Sequence, residues 1–270
     1  MPDPDSRLRS VARIYDLISA GSLHRSDART LATIFAADAT HRSSGRGWRQ
    51  GPAGAVELYL DLQRRLPGAI ATVKRSAVDG DIVAVHWHAA VDPDDEFSGE
   101  AWCEFFRFER AHVVEHWQLH VDAPAATVSG RSVFSDAYPH AMPAGSGDAG
   151  SASRNRAVAS AAFERFIAFD RSVVAEHWGD VYLQHNETIP DGVDALDESL
   201  EQVGGLPAHL RPRFTVLHTV ARDDLVWFLE RVDVGEASGF GADIFRLAGG
   251  RIVEHWDIPA MRPSSPDEPR

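Results

Sequence analysis

The stretch Phe245–Ile258 reads "FRLAGGRIVEHWDI", and half a chain earlier Phe106–Leu119 reads "FRFERAHVVEHWQL". In each, apolar and aromatic residues flank a short polar break, the pattern of two antiparallel strands joined by a tight turn. The later copy breaks at Gly-Gly-Arg, where glycine supplies the positive φ that a short hairpin loop needs. One hairpin written twice at this separation points to a duplicated domain, since a solenoid repeat would recur at a far shorter period.

Each copy is preceded by the same order of elements. In the first half, Leu8, Val11, Ala12, Tyr15 and Ile18 recur at helical spacing. "SDARTLATIFAAD" predicts a second helix, and "GPAGAVELYLDLQRRLPG" a third that stops at Pro67-Gly68. Strands are predicted at 69–78, 81–91, 98–108 and 112–120. The second half repeats the order, with helices near 154–171, 172–178 and 192–203 and strands near 213–222, 225–234, 239–248 and 252–259. Helices followed by an antiparallel meander make an α+β chain of two tandem domains. Gly, Ala, Ser and Pro crowd "PAGSGDAGSAS" (143–153) without periodicity, as in a linker. The expected division is therefore 1–140, a linker at 141–152, and 153–270. "RSVFSDAYPH" (131–140) is expected to pack back on the first domain.

Composition narrows the function. A net charge of -13 disfavours nucleic acid and anionic membranes as partners. No apolar run is long enough to span a bilayer, and "MPDPDSRLRS" lacks the apolar core of a signal peptide. With one cysteine, Cys103, no internal disulfide is possible, and a cytoplasmic location is the expectation. Glycine-rich phosphate loops are missing, so nucleotide chemistry is disfavoured and no cofactor is expected. Lys74 is the only lysine.

Counting outward from a Gly-Gly-Arg loop puts Asp243 opposite Asp257. Side chains alternate along a strand. Asp243, Asp257 and His255 then share one face, and Glu254 and Trp256 the other. Like charges directly opposite each other ordinarily destabilise a sheet. In a partly dry site one carboxyl keeps its proton while the other acts as base. The same count in the first half puts Glu104 opposite Gln118, and an amide cannot take or deliver a proton as a carboxyl does.

"GDVYLQHNETIPDGVDAL" (179–196) followed by "DIFRLAGGRIVEHWDI" (243–258) resembles the SnoaL-like branch of the nuclear transport factor 2-like superfamily. Residues 8–120 resemble it more faintly, through "FSGEAWCEFFRF" and "VVEHW". The resemblance implies two cone-shaped domains, each a curved antiparallel sheet around its N-terminal helices, with a pocket on the concave side. It implies polyketide cyclases as members, and ketosteroid isomerases, dehydratases and epoxide hydrolases as relatives. It adds His185 as a second acid or base beside Asp257 and Asp243. Asn186, Tyr182 and Phe245 join His255 as pocket lining. A gapless match puts Ser43 and Ser44 of the first half at the His185 and Asn186 positions. Relatives often pair as separate chains, so the two domains are expected to form an intramolecular pseudo-dimer, with homo-oligomers open.

Three functional classes follow: a cofactor-independent acid–base enzyme acting on an apolar carbonyl compound, a binding protein without chemistry, and an assembly protein joined through Trp117 and Trp256. Plain structural roles compete at each position. Asp257 reads equally as a solvated strand end, Asp243 as a partner of Arg231 or Arg246, and His185 as a turn-closing residue. In the first half, Glu104, Gln118, His86 and His116, with His88 and His120, are expected to line one polar cavity. A hydrogen-bonded lining is preferred there to a metal site, because no full ligand motif occurs. Cys103 has the opposite parity and is expected to point away.

Overall fold

The computed structural model describes residues 4–21, 28–43 and 47–260. Ser44 therefore lies outside the described residues. The chain folds as two compact units, the first running to Ala123 and the second beginning at Pro124.

In the first unit, α1 (Pro4–Ser19) and a short α2 (Ala28–Leu31) lead into β1 (Phe35–Ser43) and β2 (Gly47–Gln50). Then come α3 (Gly51–Arg65), β3 (Ile70–Asp79), β4 (Ile82–Ala90), β5 (Glu100–Glu109) and β6 (His112–Asp122). The six strands lie in the order β2-β1-β6-β5-β4-β3. In α1, Val11, Ile14, Tyr15 and Ile18 form a buried stripe. In α3, Val56, Tyr59 and Leu62 do the same. Both stripes pack into one core with Val83, Val85, Trp87, Trp102 and Phe106 of the sheet.

The second unit repeats this order: α4 (Ala149–Ile167), α5 (Ser172–His177), β7 (Trp178–Gln184), α6 (Val193–Gly204), β8 (Arg213–Arg222), β9 (Leu225–Val234), β10 (Ala237–Ala248) and β11 (Arg251–Ala260). Its sheet order is β7-β11-β10-β9-β8, the first sheet's order without an equivalent of β2. Its core stacks Phe163 of α4 on Phe228 of β9, with ring centroids 4.3 Å apart, and sets Phe245 edge-on against Phe163 at 5.6 Å.

The expected antiparallel meanders are present, but both sheets are mixed. β1 pairs parallel with β6, and β7 parallel with β11. The stretch read as a second helix, 26–38, holds among its described residues only the four-residue α2, and its last four residues begin β1. The burial of β1 does not alternate regularly, so period-two patterning did not mark it.

The hairpin registers come out as counted, by a different local route. The β10–β11 loop is two residues, Gly249 and Gly250, both at positive φ (58° and 77°). Such a loop closes a hairpin with native twist. A bulge then absorbs one residue between the Leu247↔Ile252 and Arg246↔Glu254 pairs and restores Asp243↔Asp257. β5–β6 repeats the device, with a bulge beyond Phe108↔Val113 that leaves Glu104↔Gln118.

Residues 131–147 lie in the second unit and cover the outer face of its sheet, correcting the expectation that 131–140 returns to the first domain. Buried charges on that face need partners, and this segment supplies them. Glu254 accepts from the Ala137 and Tyr138 amides at 2.7 and 3.2 Å. Arg246 reaches Asp136 at 2.8 Å. Trp256 donates to the Ser135 carbonyl at 2.9 Å. The expected linker continues in the same way. Asp223 accepts from the Gly145 and Gly147 amides at 2.7 and 2.8 Å, and Asp148 caps α4 through the Ser151 amide. Trp256 is thus covered within its own unit, 1% exposed, which removes it as an assembly anchor.

Candidate functional site

The second unit's site lies on the inner face of its sheet, toward the helices. Asp243 and Asp257 are register partners, as the sequence predicted, and Phe228 faces Asp243 on the other side. His255, on the same face, brings Nε2 to 2.6 Å from Asp243 Oδ1 and stacks on Phe245 at 4.6 Å. Asn186 donates from its amide to Asp257 Oδ2 at 2.7 Å. The Asn186 amide oxygen in turn accepts from the Thr188 and Ile189 amides at 2.8 and 3.2 Å, which fixes which end faces the carboxylate. Arginine takes no part: Arg231 turns to Asp233, and Arg246 binds Glu254, Asp224 and Asp136. The expectation that Asp243 pairs with one of them fails.

A third carboxyl joins this face. Glu230, in "VWFLERV", pairs with Gly241 across the β9–β10 ladder, one inner-face step from Asp243. It is 2% exposed. A Cβ at position 241 would stand 2.6 Å from Glu230 Oε1, so glycine there leaves room for the carboxyl. Sequence reasoning missed Glu230. The available signal was a lone acid at inner parity within an apolar strand.

Burial, then the charge of Asp243 and a hydrogen bond with it, push the Glu230 carboxyl well above its ordinary range. Burial likewise leaves Asp257 above its ordinary 3.8; His255 opposes the shift and Asp243 adds to it. Both shifts raise the folded-state value, so the folded state binds more protons than the unfolded one, and stability falls as pH rises through this window. Asp257→Asn should therefore be more stable than the wild type above about pH 4, and the gain should disappear below it. Denaturant midpoints across pH 3–8 measure this, and a variant less stable at every pH would contradict it.

His185 does not join the pair. In the parallel β7–β11 register Gln184 faces His255, which sends the following side chain to the outer face. There His185 Nε2 lies 2.9 Å from Glu254 Oε1 and Nδ1 lies 2.8 Å from the Ser132 carbonyl. Its ring stacks on Trp256 at 4.8 Å. Tyr182 is buried, and its hydroxyl accepts from Gln184 Nε2 at 3.1 Å.

The first unit holds a different arrangement at the same rows. Ladder positions match Glu104 with Asp243, Gln118 with Asp257 and His116 with His255. They match His41 with Gln184, and hence Ser43 with Asn186, one residue away from the gapless alignment. Glu104 is fully buried. Tyr15 and Trp87 donate to Oε2, each at 2.8 Å. Tyr59, His116 and Gln118 reach Oε1 at 2.9, 3.1 and 3.3 Å. Those donors occupy all the lone-pair directions a carboxylate has. His116 Nδ1 also meets His41 Nδ1 at 3.1 Å, and His41 Nε2 donates to the Gly51 carbonyl. His41 therefore accepts at Nδ1 from His116, whose Nε2 lies against Glu104. Burial and His116 together lower His41 to about 3, consistent with its neutral form.

The expected first-unit lining is only partly assembled. Gln118 and His116 meet Glu104, but His86 and His88 point to the opposite face. His86 is the ladder partner of Cys103, so Cys103 points away as expected. His86 Nδ1 meets Arg75 at 2.6 Å, and His88 Nε2 the Ser98 carbonyl at 2.7 Å. A two-residue alternation separates them from Glu104, which pairs with Val85. The two units also differ in exposure. The His116–Glu104 side chains are 0% exposed, whereas Asp243 is 14% exposed.

Among the described residues, no helix is long and apolar enough to cross a membrane. A comparison with curated proteins gave no match. Three solved structures are among those similar to this chain. IdmH of Streptomyces antibioticus, named as a polyketide cyclase candidate, is 20% identical over 42% of this chain and 91% of its own, with a TM-score of 0.34. A Jannaschia sp. CCS1 protein named for the SnoaL-like polyketide cyclases is 18% identical over 44% and 88%, at 0.37. An NTF-2-like protein of unknown function from Burkholderia xenovorans LB400 is 16% identical over 44% and 84%, at 0.34. Likeness at this level says nothing of substrate. The sequence model of the SnoaL-like domain matches residues 11–116, the half whose resemblance was fainter by its motifs. That match lies within the first unit, whose order of elements the second unit repeats.

Proposed function

We propose that the second unit is a cofactor-independent acid–base catalyst acting on an apolar, carbonyl-bearing small molecule, as a cyclase or isomerase. The observation that carries this reading is the convergence of Glu230, Asp243, His255 and Asp257 on one aromatic-lined face that still reaches solvent. Perturbed acids grouped this way are commoner at working sites than in structural cores. In the first unit the equivalent carboxylate is saturated and sealed, which supports a structural role there.

Asp257 is held by Asn186 through one oxygen, which leaves the other to take a proton from a carbon next to the substrate carbonyl. His255, oriented by Asp243 at Nε2, presents Nδ1 to the carbonyl oxygen. With a proton there it donates to the oxygen as negative charge develops, and Asp243 balances the imidazolium. Return of the proton from Asp257 to a different carbon completes an isomerisation. Attack of the enolate carbon on a second carbonyl, whose oxygen then takes the proton back from Asp257, completes a cyclisation. His255 thus takes the part the sequence assigned to His185.

Both outcomes share the proton abstraction, so exchange is the test. Apolar bicyclic ketones in deuterated buffer should lose α-protons to solvent faster with protein than without, as followed by NMR. A library that exchanges only at the buffer rate would remove the catalytic reading and leave the binding one.

A further inference from the structure

We infer that Tyr182 and Gln184 together keep His255 Nδ1 open to a ligand: the Tyr182 hydroxyl holds the Gln184 carboxamide, which otherwise would bond that nitrogen. This rests on the reading of the site given above, in which Nδ1 meets the substrate carbonyl. Both are positioning residues, acting through His255.

The two units fill the same position differently. The histidine of each hairpin, His116 or His255, faces one residue of the neighbouring parallel strand, His41 in the first unit and Gln184 in the second. Neighbouring strands run about 4.8 Å apart, within reach of either side chain. In the first unit the reach is used. His41 Nδ1 lies 3.1 Å from His116 Nδ1, and its Nε2 is held by the Gly51 carbonyl at 3.0 Å. In the second unit His255 Nε2 has Asp243, but Nδ1 is buried with no hydrogen-bond partner.

Gln184 is fully buried, and its carboxamide bonds elsewhere. The oxygen accepts from the His185 and Asn186 amides at 3.0 and 3.2 Å. That fixes the nitrogen as the other end, which donates to the Tyr182 hydroxyl at 3.1 Å. Two residues before the facing position, the second unit has Tyr182 and the first has Ala39. Alanine has no polar atom to divert the next side chain of that face. Tyr182 with Gln184 and Ala39 with His41 are thus two matched pairs, one freeing the histidine nitrogen and one closing it. A carboxamide carries both a donor and an acceptor, so a released Gln184 would bond Nδ1 in either tautomer. An unmet buried nitrogen is costly, and a ligand that bonds it relieves the cost.

The test titrates a bicyclic ketone into the full chain carrying nitrogen-15-labelled histidine, reading the His255 Nδ1 resonance and the dissociation constant. Tyr182→Phe removes only the hydroxyl, so Gln184 turns to Nδ1. The resonance should move before any ketone is added. Ketone binding should weaken about tenfold, the scale of one hydrogen bond that must first be broken. Adding Gln184→Leu to Tyr182→Phe removes the competing carboxamide and should restore the resonance and most of the affinity. Lost packing, or a lost direct contact between Tyr182 and the ketone, would not be rescued in this way. Should these variants not fold, Tyr182→Ala with Gln184→His copies the first unit's pair and should leave Nδ1 unresponsive to ketone. A resonance or an affinity unchanged in Tyr182→Phe, a double variant as weak as the single, or a copied pair whose Nδ1 still responds each overturn the inference. A wild type that neither binds the ketone nor exchanges its α-protons removes the reading of the site, and the ketone-free resonance of Tyr182→Phe still decides the role of Tyr182.

Discussion

Asp257→Asn is expected to lower turnover by about 10²–10⁴-fold, the usual cost of losing a general base. The variant keeps the volume of the side chain and a polar contact to Asn186, so the fold should survive. It loses only the capacity to hold a proton. The equivalent change in the first unit, Gln118→Ala, should leave turnover within a few-fold of wild type and lower stability instead, because Gln118 bonds Glu104 and Ser43. Turnover of the two purified, folded variants on one exchanging ketone makes the comparison. An active Asp257→Asn beside a dead Gln118→Ala would show that the catalytic unit is the first.

The largest loss of stability is expected from Glu104→Ala. It strands the Tyr15 and Tyr59 hydroxyls and the Trp87 indole N–H, all buried, and removes the partner of His116 Nε2. Each stranded buried donor costs about 1–3 kcal/mol. Relaxation recovers part of this, and a net loss of about 5 kcal/mol is expected. That equals the whole stability of a marginal domain, so the first unit should unfold separately or fail to fold. Glu104→Gln keeps the shape and one acceptor oxygen, and should lose roughly half as much. Two-wavelength denaturation, following Trp87 and Trp102 in the first unit, reads the effect. A variant within about 1 kcal/mol of wild type would mean that Glu104 is not the centre of that core.

The sequence by itself determined the repeated hairpin, the helix–helix–meander order, and the pairing of Asp243 with Asp257 and of Glu104 with Gln118. These are legible because a hairpin is local: strand alternation and a glycine turn fix which side chains meet. The count survived although the true loop is one residue shorter than assumed, because the bulge gives that residue back. What remained hidden depended on contacts between distant parts of the chain. β1 and β7 pair parallel with strands far along the sequence, and no local pattern sets a parallel register. That register decides that His185 turns to Glu254 while Asn186 turns to Asp257. Residues 131–140 read as a tail of the first domain and 141–152 as a linker, and only the buried charges of the second unit give the amides of 137–147 a place. Tertiary structure alone also decided the state of the two sites. Tyr15 and Tyr59 come from helices to saturate Glu104, whereas His255 is left with one buried atom unpaired. Whether a carboxyl is a sealed core anchor or a group able to move a proton depends on which donors the rest of the fold brings within about 3 Å of it.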